Sequence, residues 1–251
     1  MILSGDAVAF WTPETRESLL QRGIYANVSA LNTLNALGYT DKTGFACDGE
    51  YPIDAREKYL PSAFNEGFAG CLRNGRQSFS PDDSFGLRPT SVDAEVLSSI
   101  VDYNGNTLTD CTVGTFENAL GGRVAVCGYY PFTQCSDTFK TRQLKRLFVY
   151  LSHGNLPSFV DSYARIQNRT FIKDGHVSVA LLNPSNEPLE NIRVAIRADG
   201  RNGKYWDMTA AEHTLPFTET VDMCGYRYAI FTLPALPPYS MALLQTEARN
   251  V

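Results

Sequence analysis

The chain has 251 residues, 43% hydrophobic, 20% charged and 12% aromatic, with 22 Lys and Arg against 27 Asp and Glu and a net charge of −5. That content is too apolar and too evenly charged for a disordered chain, and a mildly acidic protein lacks the basic face of a nucleic-acid binder. No run approaches the ~18–20 apolar residues of a membrane-spanning helix.

Met1-Ile2-Leu3-Ser4-Gly5-Asp6 has no basic n-region, so the opening reads as a buried strand over Ile2–Val8 and not as a signal peptide, which favours a cytoplasmic location. Thr12 then caps a helix with Pro13 at its first position and Glu14 in its first turn; Leu19 and Leu20 form its apolar stripe and Gly23 ends it. From Gly38 to about residue 90 the pattern is irregular. Asp48-Gly49, Asn74-Gly75 and Ser80-Pro81-Asp82-Asp83 read as turns there, with short apolar clusters at Phe64, Phe68 and Phe79.

Beyond Val92 the signals sharpen. Glu95–Asp102 fits helix and strand equally, Asn104-Gly105-Asn106 is a turn, and Cys111–Phe116 and Val124–Cys127 read as strands joined through Asn118 to Gly121-Gly122. The unbroken apolar run Val124–Cys127 predicts a strand buried on both faces. A helix over about Thr138–Ser152 follows. Leu144, Leu147, Phe148 and Leu151 make its apolar stripe, and Lys140, Arg142, Lys145 and Arg146 read as its solvated side. A buried strand followed by an amphipathic helix is α/β architecture. From about residue 168 onward the chain alternates as an antiparallel sandwich does: Val177, Val179 and Leu181, then the Asn183-Pro184 turn, then Ile192, Val194 and Ile196, then Tyr226, Tyr228 and Ile230, and last Met241–Leu244.

The six cysteines (Cys47, Cys71, Cys111, Cys127, Cys135, Cys224) show no zinc-like C-x₂-C pair and are expected to be reduced, and the three histidines have no ligand spacing, so no metal or cofactor is expected. Asn27-Val28-Ser29 and Asn168-Arg169-Thr170 match the glycosylation triplet, which is common by chance. Gly121-Gly122 precedes a strand and not a helix, so it is no phosphate cradle. A thiol enzyme would use Cys71 with His153, His176 or His213 as base, although Cys71 lacks the tight Gly-x-Cys-x-Gly elbow. Among the carboxylates Asp82, Asp83, Asp102, Asp110 and Glu117, no spacing selects an acid–base pair, and Glu117 alone merits mutation. Tyr205-Trp206 offers a sugar-stacking surface; the plainer reading of such a pair is packing at the edge of a sandwich core.

Ala94-Glu95-Val96-Leu97, Thr112-Val113, Gly121-Gly122-Arg123-Val124-Ala125-Val126 and Gly128, leading into the helix at Thr138, resemble the end of the amidotransferase-like domain of family 42 β-galactosidases. The opening strand and the helix to Gly23 resemble an earlier unit of that domain. Leu181-Leu182-Asn183-Pro184 and Leu233-Pro234-Ala235-Leu236-Pro237-Pro238-Tyr239 are similar to turns of the terminal β-sandwich of those enzymes. The resemblance covers residues 1–40 and 92–248. It implies a partial amidotransferase-like (flavodoxin-like) α/β domain at 1–160 and a small antiparallel β-sandwich at 161–251. In that family two glutamates on a (β/α)₈ barrel carry catalysis, and such a barrel needs about 250 residues of its own; the amidotransferase-like domain serves in subunit association.

The expectation is therefore a non-catalytic accessory region whose partner is a glycoside hydrolase barrel or a second copy of the chain. Two alternatives stand beside it: a carbohydrate-binding module using Tyr205 and Trp206, and a hydrolase or amidotransferase using Cys71. Nucleic acid and membrane are not expected as partners.

Overall fold

Thr12 does start a helix. In the computed structural model, which describes residues 1–3, 5–51, 55–74, 84–129 and 137–247, its side chain accepts from the Thr15 amide and α1 runs Pro13–Leu20. The chain divides into two compact units, Met1–His153 and Gly154–Val251.

In the first unit, strand β1 is only Ile2–Leu3, and a 3₁₀ helix takes Gly5–Phe10 where the longer strand Ile2–Val8 was expected. Gly5 lies at φ +73°, a left-handed conformation that turns the chain out of the strand. Gln21 caps the end of α1, and Gly23 opens a strand instead of closing the helix: β2, Gly23–Asn27. The glycine has a packing reason. A Cβ there would run into the Leu151 carbonyl. Asn27, with its side chain accepting from the Ala30 amide, caps α2, Val28–Ala36. The short α3 (Thr40–Thr43) then leads into β3, Phe45–Tyr51.

The stretch that read as irregular holds β4 (Arg56–Tyr59), β5 (Leu72–Asn74) and β6 (Ser84–Pro89). Pro81, Asp82, Asp83 and Phe79 lie outside the described residues. Glu95–Val101 is a strand, β7, followed by β8 (Thr107–Glu117) and β9 (Arg123–Cys127). Helix α4, Thr138–Leu151, is capped by Asp137.

The main sheet has the order β1-β2-β9-β8-β7-β4-β5, and β3 pairs with β6 in a separate ribbon. Strands β1, β2 and β9 are parallel neighbours and the rest of the sheet is antiparallel. A flavodoxin-like sheet is parallel throughout; the sheet here is mixed and the chain mostly β. Strand β9 is buried on both faces as its apolar run requires. Ile24 and Ala26 pack with Leu20, Ala30 and Leu34 on one side, while the Tyr25 ring meets Phe148 of α4 edge-on at 6.1 Å on the other.

The second unit is two antiparallel sheets. One is ordered β10 (Ser158–Val160), β13 (Leu189–Ile196), β17 (Tyr226–Leu236), β16 (Phe217–Met223). The other is ordered β11 (Gln167–Lys173), β12 (His176–Leu182), β18 (Met241–Glu247), β14 (Gly203–Trp206), β15 (Glu212–Leu215). Val177, Val179 and Leu181 meet Ile192, Val194 and Ile196 in the core between them. The expected strand at Tyr226-Tyr228-Ile230 is β17, where Ala229, Phe231 and Leu233 face this core and Ile230, on the other face, is fully buried as well. Tyr228 is likewise fully buried, its hydroxyl donating to the Leu156 carbonyl. Asn183 is buried at the turn after β12 and donates to the carbonyls of Glu187, Leu236 and Pro237. No helix among the described residues is long and apolar enough to cross a membrane.

Candidate functional site

Burying a carboxylate is costly unless opposite charge and hydrogen bonds surround it. Glu57 is 3% exposed and satisfies that condition fully. On β4 it stands directly opposite Arg73 of β5. Its Oε2 accepts from Arg73 Nε at 2.8 Å and lies 2.7 Å from Nη2. Its Oε1 accepts from Ser98 Oγ at 2.7 Å, and the Tyr129 hydroxyl reaches both oxygens at 2.9 and 2.8 Å. Lys140 Nζ sits 3.8 Å away, hydrogen-bonded to the Tyr129 hydroxyl and to Gln143 Oε1. Burial pushes the Glu57 pKa up, but Lys140, Arg73 and the hydroxyls outweigh it and hold the carboxyl at about 2. Lys140, expected on the solvated side of α4, is completely buried, because Glu57 supplies its counter-charge inside the fold. Both cations also lie over the Tyr129 ring, Arg73 at 5.0 Å and Lys140 at 4.7 Å.

Tyr129 links this cluster to a cleft of about 580 Å³ whose lining includes Asp6, Asn27, Ser29, Asn32, Phe85 and Tyr129. It lies where the three parallel strands end: Asp6 follows β1, Asn27 ends β2, and Gly128-Tyr129 follow β9. In open α/β sheets, ligands bind in the crevice outside the carboxyl ends of the parallel strands. Asp6 Oδ1 accepts from Ser29 Oγ at 2.8 Å and Thr33 Oγ1 at 3.2 Å, so the carboxylate is held by two hydroxyls of α2.

Tyr205 and Trp206 leave opposite faces of their sheet, as consecutive strand residues must. Tyr205 pairs with the buried Leu244, stacks on His213 at 4.8 Å and packs on the sandwich core. Trp206 pairs with the exposed Leu243 and lines a separate cleft of about 310 Å³ with Lys204, Gln245 and Glu247. The two rings therefore do not form one platform.

The remaining candidates are dispersed. Glu117, at the exposed end of β8, pairs with Arg123 at 2.8 Å. Asp102 accepts from the Asn104 and Asn106 amides and holds the Asn104-Gly105-Asn106 turn. Cys71 is half-buried just before β5 and is a free thiol, as are Cys47, Cys111 and Cys127. His213 is held by Asp207 at 2.9 Å. Gly121 takes φ +79°, and a Cβ on Gly122 would collide with the Leu20 carbonyl, so the glycine pair serves the β8–β9 turn. Among the described residues no group of three His, Cys, Asp or Glu side chains is placed to hold a metal ion.

No family model matches the sequence, and no curated protein matches it. Solved structures do. α-L-Fucosidase isoenzyme 2 from Paenibacillus thiaminolyticus is similar over 99% of this chain and 41% of its own, with a TM-score of 0.58 at 12% identity. A cold-adapted β-galactosidase from Rahnella sp. R3 is similar over 98% of this chain and 31% of its own, with a TM-score of 0.53 at 11% identity. At such identity the likeness shows the fold: this chain has the architecture of a part of glycoside hydrolase chains, and spans less than half the length of either.

Proposed function

We propose that the chain is a non-catalytic accessory region of a glycoside hydrolase-like protein, supporting or assembling a catalytic barrel, with that barrel or a second copy of the chain as its partner. The observation that carries this reading is the extent of the structural likeness: nearly the whole chain, with residues of both units, is similar to a part of a fucosidase and a part of a β-galactosidase. The chemistry of the candidate acids agrees with it. Glu57 is locked by two cations inside the fold, Glu117 is paired to Arg123, and Asp102 holds a turn. The finer assignment, an amidotransferase-like first unit that mediates subunit association, rests on the sequence resemblance. The test is hydrolysis of aryl β-galactosides and aryl α-L-fucosides by the purified chain. No turnover is expected; turnover that Glu117→Gln abolishes overturns the proposal.

A second reading, sugar binding by the second unit, draws on the placement of Trp206 in an open cleft beside Gln245 and Glu247. It now rests on Trp206 without Tyr205. Titration of Trp206→Ala with galactosides tests it, and unchanged binding removes Trp206 from any sugar site.

A further inference from the structure

The cleft at the ends of the parallel strands has a lining with one chemical character. Helix α2 presents Ser29, Asn32, Thr33 and Ala36 to it, residues that recur at three- and four-residue spacing and so share one helix face. The opposite face carries Ala30, Leu31 and Leu34 into the core. Asp6 crosses from the end of β1 and is fixed by the Ser29 and Thr33 hydroxyls. The other wall is aromatic. Phe85 is pinned through its backbone, its amide donating to the Gly128 carbonyl at 2.6 Å and its carbonyl accepting from Thr112 Oγ1 at 3.1 Å. Gly128 is needed for that approach, since a Cβ would strike the Phe85 carbonyl. Tyr129 is pinned through its hydroxyl by Glu57 and Lys140. The walls are thus preorganised, and the volume of about 580 Å³ falls within the roughly 300–1,000 Å³ of small-molecule sites.

The lining joins the Asp6 carboxylate, the Asn27 and Asn32 amides and the Ser29 and Thr33 hydroxyls to two aromatic residues, with no Lys, Arg or His among the described residues that line it. A carboxylate without a neighbouring cation disfavours an anion. Acceptors along one side and the Phe85 ring along the other suit a molecule with hydroxyls on its rim and C–H bonds on its face. We infer that this cleft is a carbohydrate-binding site for a neutral pyranose, whose vicinal hydroxyls donate to Asp6 and meet Asn32 while its apolar face lies against Phe85. The inference is separate from the accessory role: a barrel-supporting region need not bind sugar, and a sugar site need not belong to one.

The test is isothermal titration of the whole chain with methyl β-D-galactoside, methyl α-L-fucoside and methyl β-D-glucoside, with ethylammonium and inorganic phosphate as the charged probes. Asp6→Asn keeps an oxygen for Ser29 and Thr33 but removes the charge; it is expected to weaken sugar binding about tenfold or more, the effect of one lost charge-assisted hydrogen bond. Ala36→Trp, at an exposed position on the rim, fills the cleft and is expected to abolish binding without lowering the melting temperature. Phe171→Ala, at an exposed position outside the cleft, leaves it unchanged. Failure of every sugar to saturate the wild-type chain overturns the inference, as does binding that survives both cleft variants. Asp6-dependent binding of ethylammonium in place of sugar, or saturable binding of phosphate in the cleft, overturns the ligand class.

Discussion

Glu57→Gln is the substitution that most directly tests how the first unit is held together. Glu57, Arg73 and Lys140 are formally one negative and two positive charges, with the three side chains 3%, 3% and 0% exposed. Glutamine preserves the volume and one acceptor oxygen, but turns an amide NH₂ toward the Arg73 guanidinium or toward Ser98 and Tyr129. Two buried cations then lose the carboxylate that lies between them. Breaking a buried ion pair from one side costs about 3–5 kcal/mol, which for a unit of this size is a fall in melting temperature of about 6–20 °C. The chain has two tryptophans, and Trp11 packs on the core of the first unit. Fluorescence of Trp11 in a Trp206→Phe background therefore follows that unit alone during urea unfolding. The acid dependence supplies a second signature. Glu57 is held at about 2 against an ordinary 4.5, a depressed carboxylate, so its stabilisation is present above about pH 4.5 and is lost as the pH falls toward 2. The shift corresponds to about 3 kcal/mol, and the gap between wild type and Glu57→Gln must narrow over that window. A loss below about 1 kcal/mol at pH 7, within the range of ordinary surface changes, or a gap that does not close in acid, refutes the reasoning.

Lys140→Met leaves Glu57 and Arg73 as a balanced pair and strands only the Tyr129 and Gln143 oxygens, so urea unfolding should show a loss of about 1–3 kcal/mol, smaller than that of Glu57→Gln. Asn183→Ala removes the donor to three carbonyls at the end of β12 and should destabilise the second unit by about 2–4 kcal/mol, read from Trp206 fluorescence. Gly23→Ala drives a methyl group into the Leu151 carbonyl; calorimetry should show the first unit melting several degrees lower, by the cost of overpacking. Cys111 and Cys127 are buried, burial and the neighbouring Asp110 pushing the Cys111 thiol up to about 12 and burial raising Cys127. Peptide mapping after N-ethylmaleimide treatment should find both unlabelled in the folded chain and labelled in urea, whereas half-buried Cys71 is labelled without urea.

What the sequence revealed was whatever local physics alone decides. Thr12-Pro13-Glu14 is a capping arrangement that needs no distant partner, and it starts α1. Asn104-Gly105-Asn106 closes on Asp102, two residues away. The alternation of Val177, Val179 and Leu181 survives because their sheet has one inner face. Gly23 misled because its reason is tertiary: the residue that excludes a Cβ there lies far along the chain, in α4. Asn27 looked like a glycosylation acceptor, yet its side chain caps α2; asparagine followed three residues later by a helical amide carries both patterns, and the Val28, Leu31 and Leu34 spacing was the signal that could have chosen between them.

The buried cluster was hidden for a different reason. Strand prediction looks for apolar residues at alternate positions, and Arg56-Glu57-Lys58-Tyr59 shows charges where the core face lies. Glu57 faces inward because Arg73 stands opposite it in the ladder and Lys140 descends from the helix above that face. Each charge is an implausible core residue alone, and only the three together form an acceptable one. The same holds for the cleft. Asp6, Ser29, Asn32 and Thr33 are ordinary polar residues in sequence, and they become one surface because β1 and β2 run parallel and end side by side. A candidate site built by strand order leaves its trace in the sequence only as the polar spacing of one helix face, and that spacing becomes interpretable once the helix is known to sit at a strand's carboxyl end.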